Sequence, residues 1–316
     1  MTEATTGNNL QSVVDLSVEI AGLRLANPVL TASGTFGYGE EYASLVDLEE
    51  LGGIVVKAVT LHPRPGNPPP RMVEVAGGIL SSCGLQNVGV ECFLREKLPY
   101  LHQFRVPVIV NVAGESVDEF VVLTERLNEG EGISALELNV SCPNVRNGGM
   151  TFGIDPSIVY GIVAAVKSVS RYPVICKLTP NVTDIVRIAL SAEEAGADAV
   201  SLINAPLGMA IDVQTRRPKL GNVTGGITGP AIKPLAVRMV WQVAQAVRIP
   251  VIGVGGITTA TDALEFIIAG ATAIQVGTAN FFRPNAMPEI IQGLRNYLVE
   301  QRCQSLRDLR GSLVIN

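Results

Sequence analysis

Residues 136–144 read Leu-Glu-Leu-Asn-Val-Ser-Cys-Pro-Asn, an apolar run that turns polar and carries a thiol, Cys142, just past its end. A free cysteine ionises near pH ~8.5, so with modest help Cys142 can act as a general base or acid close to neutrality. Cysteine also serves as a small buried hydrophobe, and that is the reading adopted for Cys92 and Cys303. It suits Cys142 poorly, because Asn139, Ser141 and Asn144 would surround a merely structural thiol with hydrogen-bonding groups. Cys176 precedes Lys177 on a strand and is expected on the opposite side, between strands and helices.

Two lysines stand in apolar runs, Lys57 in IVVKAVT and Lys177 in VICKLT. Lysine is seldom buried unless paired, so such a residue faces an anion or does covalent chemistry; snorkelling to solvent and a Schiff-base role are the alternatives. Gly253-Val254-Gly255-Gly256-Ile257-Thr258 and Gln275-Val276-Gly277-Thr278-Ala279 end two consecutive apolar runs. Glycines there let backbone N–H groups approach a phosphate beside the positive start of a helix, although they also permit tight turns. A dinucleotide fingerprint is not met, since Thr258 stands at the last Gly position of G-x-G-x-x-G.

Composition removes other chemistries. With 24 Lys+Arg against 29 Asp+Glu the net charge is −5, without the basic excess of a nucleic-acid binder. The five cysteines, Cys83, Cys92, Cys142, Cys176 and Cys303, are odd in number and form no C-x-x-C pair, so no disulfide framework, zinc site or iron–sulfur site is expected. His62 and His102 are the sole histidines and are expected at the surface, which leaves a Ser-His-Asp triad or His-rich metal site short of members. Apolar stretches such as 158–166 fall short of a membrane span, and MTEATTGNNLQS lacks the apolar core of a secretory signal, so a cytoplasmic protein is expected.

The elements that must position these residues follow from periodicity. After a tail over 1–12, expected to be flexible, VDLSVEIAGLRLANP alternates like a hairpin with Gly22 near its turn, suited to capping a barrel end. Eight near-continuous apolar runs then predict strands buried on both faces, over 29–32, 53–59, 106–112, 135–140, 173–178, 199–203, 250–254 and 273–276. Helical spacing fits 40–51, 91–101, 117–128, 156–170, 183–195, 230–247, 259–269 and 286–301, with Ser116 and Glu119 as a capping box. Alternation of this kind predicts a single (β/α)₈ barrel domain over 1–316, with an open doubly wound sheet as the alternative. Function then belongs to the loops at the strand C-termini, of which 60–90, 141–155 and 204–229 are long enough to be lids or binding loops.

At this point the chain resembles a known family, the dihydroorotate dehydrogenases, and within it the class 1B, NAD-linked catalytic subunits. The motifs are NPVLTASGTFGYGEEY (27–42), GGIVVKAVT (52–60), GLQNVGV (84–90), LELNVSCPN (136–144), VICKLTPN (174–181), ITGPAIKP (227–234), IGVGGI (252–257) and IQVGTA (274–279). The resemblance implies an FMN-binding barrel, with the FMN phosphate at Gly255, Gly256, Gly277 and Thr278. It also implies that Ser33, Ala58, Asn111, Asn139, Lys177, Ile203 and Gly229 line the flavin, Lys177 lying near N1 and O2, where a cation stabilises the reduced ring. Lys57 would bridge flavin and substrate carboxylate, and Ser81, Ser82, Cys83, Gly84, Leu85, Asn139, Asn144, Asn204 and Ala205 would complete the substrate pocket. Cys142 would take the C5 proton of dihydroorotate while the C6 hydride passes to flavin N5, giving orotate for UMP biosynthesis. NAD-linked members pass electrons to a partner subunit with FAD and a 2Fe-2S cluster, which implies a homodimer or heterotetramer; direct use of fumarate is the competing route.

Two positions depart from the family's pattern. Where it typically has Asn-Ala-Ile-Gly-Leu-Gln-Asn, this chain has Ser81-Ser82-Cys83-Gly84-Leu85-Gln86-Asn87, and Asn204 is followed by Ala205 where Thr or Ser is usual. A carboxamide and a hydroxyl are thereby lost from the substrate side while the flavin side is intact. A reductase acting on a related pyrimidine therefore stays open, as do, from different classes, a Schiff-base lyase using Lys57 or Lys177 and a phosphate-ligand binder without turnover.

Overall fold

The structure is a computed structural model in which residues 14–140 and 152–315 are described. Cys142, Ser141 and Asn144, like the 1–12 tail, lie outside the described residues.

Strands β1 (Val18–Ile20) and β2 (Leu23–Leu25) pair antiparallel around Ala21 and Gly22, both at positive φ. Val18, Ile20 and Leu25 are buried, and Glu19, Ala21 and Gly22 share a surface groove with Ala197, Ile249 and Pro250. The last three precede barrel strands, so the hairpin covers the N-terminal end of the barrel, as expected. Next come β3 (Val29–Thr31) and β4 (Ile54–Val55), then β5 (Met72–Val75) and β6 (Gly78–Ser81). They are followed by β7 (Val108–Val112), β8 (Ile133–Asn139), β9 (Val174–Leu178) and β10 (Ala199–Leu202). The last six are β11 (Leu207–Met209), β12 (Ile211–Asp212), β13 (Arg217–Pro218), β14 (Thr224–Thr228), β15 (Val251–Val254) and β16 (Ala273–Val276).

Eight of these form one parallel sheet in the order β3-β16-β15-β10-β9-β8-β7-β4. The ends meet where Leu30 pairs with Gly53: the Thr31 N–H donates to Gly53 O at 3.2 Å and the Gly52 N–H to Val29 O at 2.9 Å. A Cβ on Gly52 would stand 2.1 Å from Asn27 O, so glycine is what lets the two strands come this close. Closure excludes the open doubly wound sheet, which has free edges. The strands are buried along their length because helices cover them outside. On Pro156–Val169, for example, Val159, Ile162, Val163 and Val166 are fully buried at helical spacing.

The structure differs from the sequence reading in several places. Over 40–51 there are turns and a short 3₁₀ helix, Leu48–Glu50, because Asp47 is extended and its carboxylate accepts from Glu49 N–H. The 91–101 helix starts at Gly89 and is broken by a π-turn over Phe93–Lys97, next to Pro99, which lacks the N–H to continue the ladder. Ser116 caps Val117–Leu127 by accepting from Glu119 N–H at 3.1 Å, but the Glu119 carboxylate takes Glu115 N–H at 2.7 Å, so the box is not reciprocal. Two of the long loops, 60–90 and 204–229, pair with each other in an antiparallel sheet of order β11-β14-β6-β5, with Gly226 opposite Ser81 and Thr228 opposite Ile79.

Candidate active site

A cleft lies at the C-terminal ends of the barrel strands, beneath the antiparallel sheet. Its lining takes Ser33, Lys57, Ala58, Asn139, Lys177, Ile203, Asn204, Gly255, Gly256, Gly277 and Thr278 from strand ends, and Gly229 from just past β14. Ser81, Cys83, Leu85, Ala205, Met72, Ile79 and Gly226 come from the roof and its connections. Gly255 and Gly256 adopt φ +132° and +73°, a region that side chains disfavour, so their type is required by the turn itself.

Three expected members are elsewhere. Asn111 lies below the cleft, fully buried, with its Nδ2 donating to Glu137 Oε1 at 2.7 Å. Ser82 is buried off the cleft, because alternation along the chain turns it away from the face that Ser81 and Cys83 present. Gly84 is outside the lining too; at φ +71° it makes the turn that leads to Leu85, and a Cβ there would meet Asn67 at 2.6 Å. Cys92 and Cys303 are half-buried, not buried: the Cys92 thiol donates to Glu96 on an exposed helix face, and Cys303 follows the end of its helix. His62 and His102 are exposed, as expected.

Glu137 and Gln275 form a polar floor that sequence reasoning missed. Glu137 sits two residues before Asn139 on β8, on the same inward face, and is fully buried. Its carboxylate accepts from Lys177 Nζ at 3.3 Å, Gln275 Nε2 at 2.5 Å, Ser201 Oγ at 2.8 Å and Asn111 Nδ2 at 2.7 Å. Lys177 Nζ also donates to Ser33 Oγ and Gln275 Oε1, each at 3.3 Å. Burial pushes the Glu137 carboxyl up, but Lys177 and the hydrogen bonds from Gln275, Ser201 and Asn111 outweigh it and hold the group below its ordinary range. The signal was present: a charged and an amide residue inside runs otherwise apolar, LELNV and AIQVG.

Cys176 is fully buried and burial pushes its thiol up to about 12, which suits a core residue. Asn204 Nδ2 donates to Asn139 Oδ1 at 3.1 Å, while its Oδ1 accepts from the Ala205 N–H at 2.8 Å. Gln86, also unforeseen, lines the cleft and accepts from Arg71 Nη2 at 2.6 Å. Among the described residues no group of His, Cys, Asp and Glu could hold a metal ion, and no helix is long and apolar enough to cross a membrane.

Comparison with known proteins agrees with this architecture. The family model described as Dihydroorotate dehydrogenase matches residues 15–298. The dihydroorotate dehydrogenase B (NAD(+)) catalytic subunit of Geotalea uraniireducens is 55% identical, covering 95% of this chain and 98% of its own. That of Desulforudis audaxviator is 57% identical, over 95% and 97%. A solved structure, the dihydroorotate dehydrogenase of Eimeria tenella in complex with ferulenol, superposes with TM-score 0.79 at 22% identity, over 99% and 91% of the two chains, and speaks to the fold. The chain is a (β/α)₈ barrel that belongs to the dihydroorotate dehydrogenase family, a family of oxidoreductases.

Proposed function

We propose that this chain, as one domain, oxidises (S)-dihydroorotate to orotate for UMP synthesis in a cleft that holds FMN. The observation that carries the reading is the floor: Lys177 lines the cleft and its ammonium is fastened from below by Glu137, Gln275 and Ser33. The residues present fit the cofactor. Glycine turns at two adjacent strand ends, with Gly255 and Gly256 at φ +132° and +73° in the cleft lining, suit a phosphate. Gly255, Gly256, Gly277 and Thr278 would hold the phosphate, and Ser33, Ala58, Asn139, Lys177, Ile203 and Gly229 the ring and ribityl chain. The chemistry that FMN supplies when bound is acceptance of the substrate's C6 hydride at N5.

Lys57 holds the substrate carboxylate, and Asn139, Asn144, Asn204 and the 81–85 segment surround the pyrimidine. Cys142 takes the C5 proton as general base. The relatives are named catalytic subunits, which supports a partner; in this reading the partner carries FAD and a 2Fe-2S cluster and delivers electrons to NAD, in a cytoplasmic assembly.

Dihydroorotate added without oxygen to FMN-loaded protein is expected to bleach the flavin band, and dihydrouracil to leave it. The opposite preference would favour a dihydropyrimidine reductase, a reading supported by Ser81 and Ala205 in the cleft lining. Bleaching by neither overturns both. A Schiff-base lyase is disfavoured at Lys177, whose ammonium donates to three oxygens, whereas that chemistry needs a free amine. Cys142→Ser is expected to retain FMN and slow flavin reduction by ~10²–10⁴-fold near neutral pH, the scale of a lost general base. Unchanged kinetics would remove Cys142 from that role.

A further inference from the structure

The ITGPAIKP motif ends in a lysine that neither the floor nor the roof uses. Lys233 opens the helix Lys233–Ala244, and its Nζ donates to Asp262 Oδ1 at 2.7 Å and Glu265 Oε1 at 2.5 Å on the next helix, Ala260–Ile268. The other Asp262 oxygen accepts from the Thr258 N–H at 2.9 Å, Thr258 Oγ1 at 2.8 Å, the Thr259 N–H at 2.9 Å and Thr259 Oγ1 at 3.0 Å. Arg283 donates to the Thr258 carbonyl from the far side and pairs with Glu289 at 3.3 Å. The lysine stem also presses on the turn: a Cβ on Gly256 would stand 2.8 Å from Lys233 Cβ. The stretch from Gly255 to Thr258, all of it cleft lining, is therefore gripped by groups that do not line the cleft themselves.

The charges are unbalanced without Lys233. Asp262 and Glu265 place two carboxylates behind the turn, where a phosphate dianion would be repelled, and Lys233 is the cation that joins them. We propose that Lys233 and Asp262 are positioning residues that hold the Gly255–Thr258 turn in its phosphate-binding shape, Lys233 also screening the two carboxylates from the phosphate. This rests on the FMN reading above. Its consequence is selective: affinity for the phosphate should depend on the pair, and affinity for the ring should not.

FMN and riboflavin differ only in the phosphate, so titrating flavin-free protein with each, followed by flavin fluorescence, separates the two contributions. In Lys233→Met, FMN affinity is expected to fall by about tenfold or more, the scale of one unit charge acting through partly screened protein, with riboflavin affinity within about twofold of the parent. The FMN loss should shrink as salt is raised, and Lys233→Arg should recover most of it. Should Lys233→Met not fold, as judged by circular dichroism, Lys233→Gln is the second variant, with the same split between the two flavins expected. Equal losses for both ligands, or no loss for FMN, would overturn the proposal. A parent protein that binds FMN no better than riboflavin would overturn the phosphate assignment and the clamp with it, an outcome distinct from failure of the variants alone.

Discussion

The floor of the cleft is made of side chains inside the barrel, whereas its roof is made of two segments that lie more than a hundred residues apart and pair across the strand ends. In the floor, Glu137, Lys177, Gln275, Ser201 and Asn111 belong to five different strands of one closed sheet and are fully or almost fully buried. In the roof, Met72, Leu207 and Met209 are exposed, and Gly225 and Gly226 bring β14 against β6. A buried ionic floor is costly to disturb because a charge left without its partner cannot reach water. A half-exposed two-segment roof can loosen without unfolding the barrel.

Glu137→Leu should break this contrast most severely. It leaves Lys177 buried without its carboxylate and is expected to cost about 3–5 kcal/mol in denaturant unfolding, with much of that recovered in Glu137→Leu/Lys177→Met. A single-variant loss under about 1 kcal/mol would mean that the floor is no more demanding than a surface pair. Gly225→Ala should be felt next, since a Cβ there would stand 2.6 Å from the Ser81 carbonyl oxygen and from Leu220 Cδ1, pushing β14 off β6. Overpacking of this kind costs about 1–3 kcal/mol. Its signature should be a raised KM for dihydroorotate at unchanged FMN affinity, and equal changes in both would mean that roof and floor act as one unit.

The smallest expected effect is at the rim, where Asp262 is held down to about 2 from 3.8: burial raises it, and bonds from Lys233, Thr258 and Thr259 lower it further. A depressed carboxyl contributes stability that is full above the unfolded value of 3.8 and is lost as pH falls through about 2. Unfolding measured from pH 5 to pH 2 should therefore show a steeper acid loss in the native protein than in Asp262→Asn. The difference should be on the order of 1 kcal/mol once solvent screening is allowed for. Identical slopes would show that the rim carries no charge-dependent stability.

The barrel was legible because each of its strands is an apolar run bounded by turn residues, and a local pattern suffices to place such an element. Val174–Leu178 and Ala273–Val276 fall within a residue of the expected bounds for that reason. The strand-end glycines were legible too, since a tight turn at positive φ announces itself by residue type. The roof was not: β5, β6, β11 and β14 are short segments among prolines and glycines whose partners lie far along the chain. The helix expected over 40–51 failed where a local choice, the Asp47 side chain capping Glu49, overrode a permissive periodicity.

By itself, then, the amino-acid sequence determined the alternation of strands and helices, the glycine turns at two strand ends, the two lysines at strand ends and the family, since each of these is carried by short-range pattern or residue type. Tertiary structure alone decided that Lys177 is fastened by Glu137 and Gln275, that Asn111 and Ser82 leave the cleft lining, and that Lys233 reaches Asp262 behind the Gly255–Thr258 turn. Those outcomes depend on which strands become neighbours when the barrel closes and on which way each side chain then faces. No spacing along the chain specifies either.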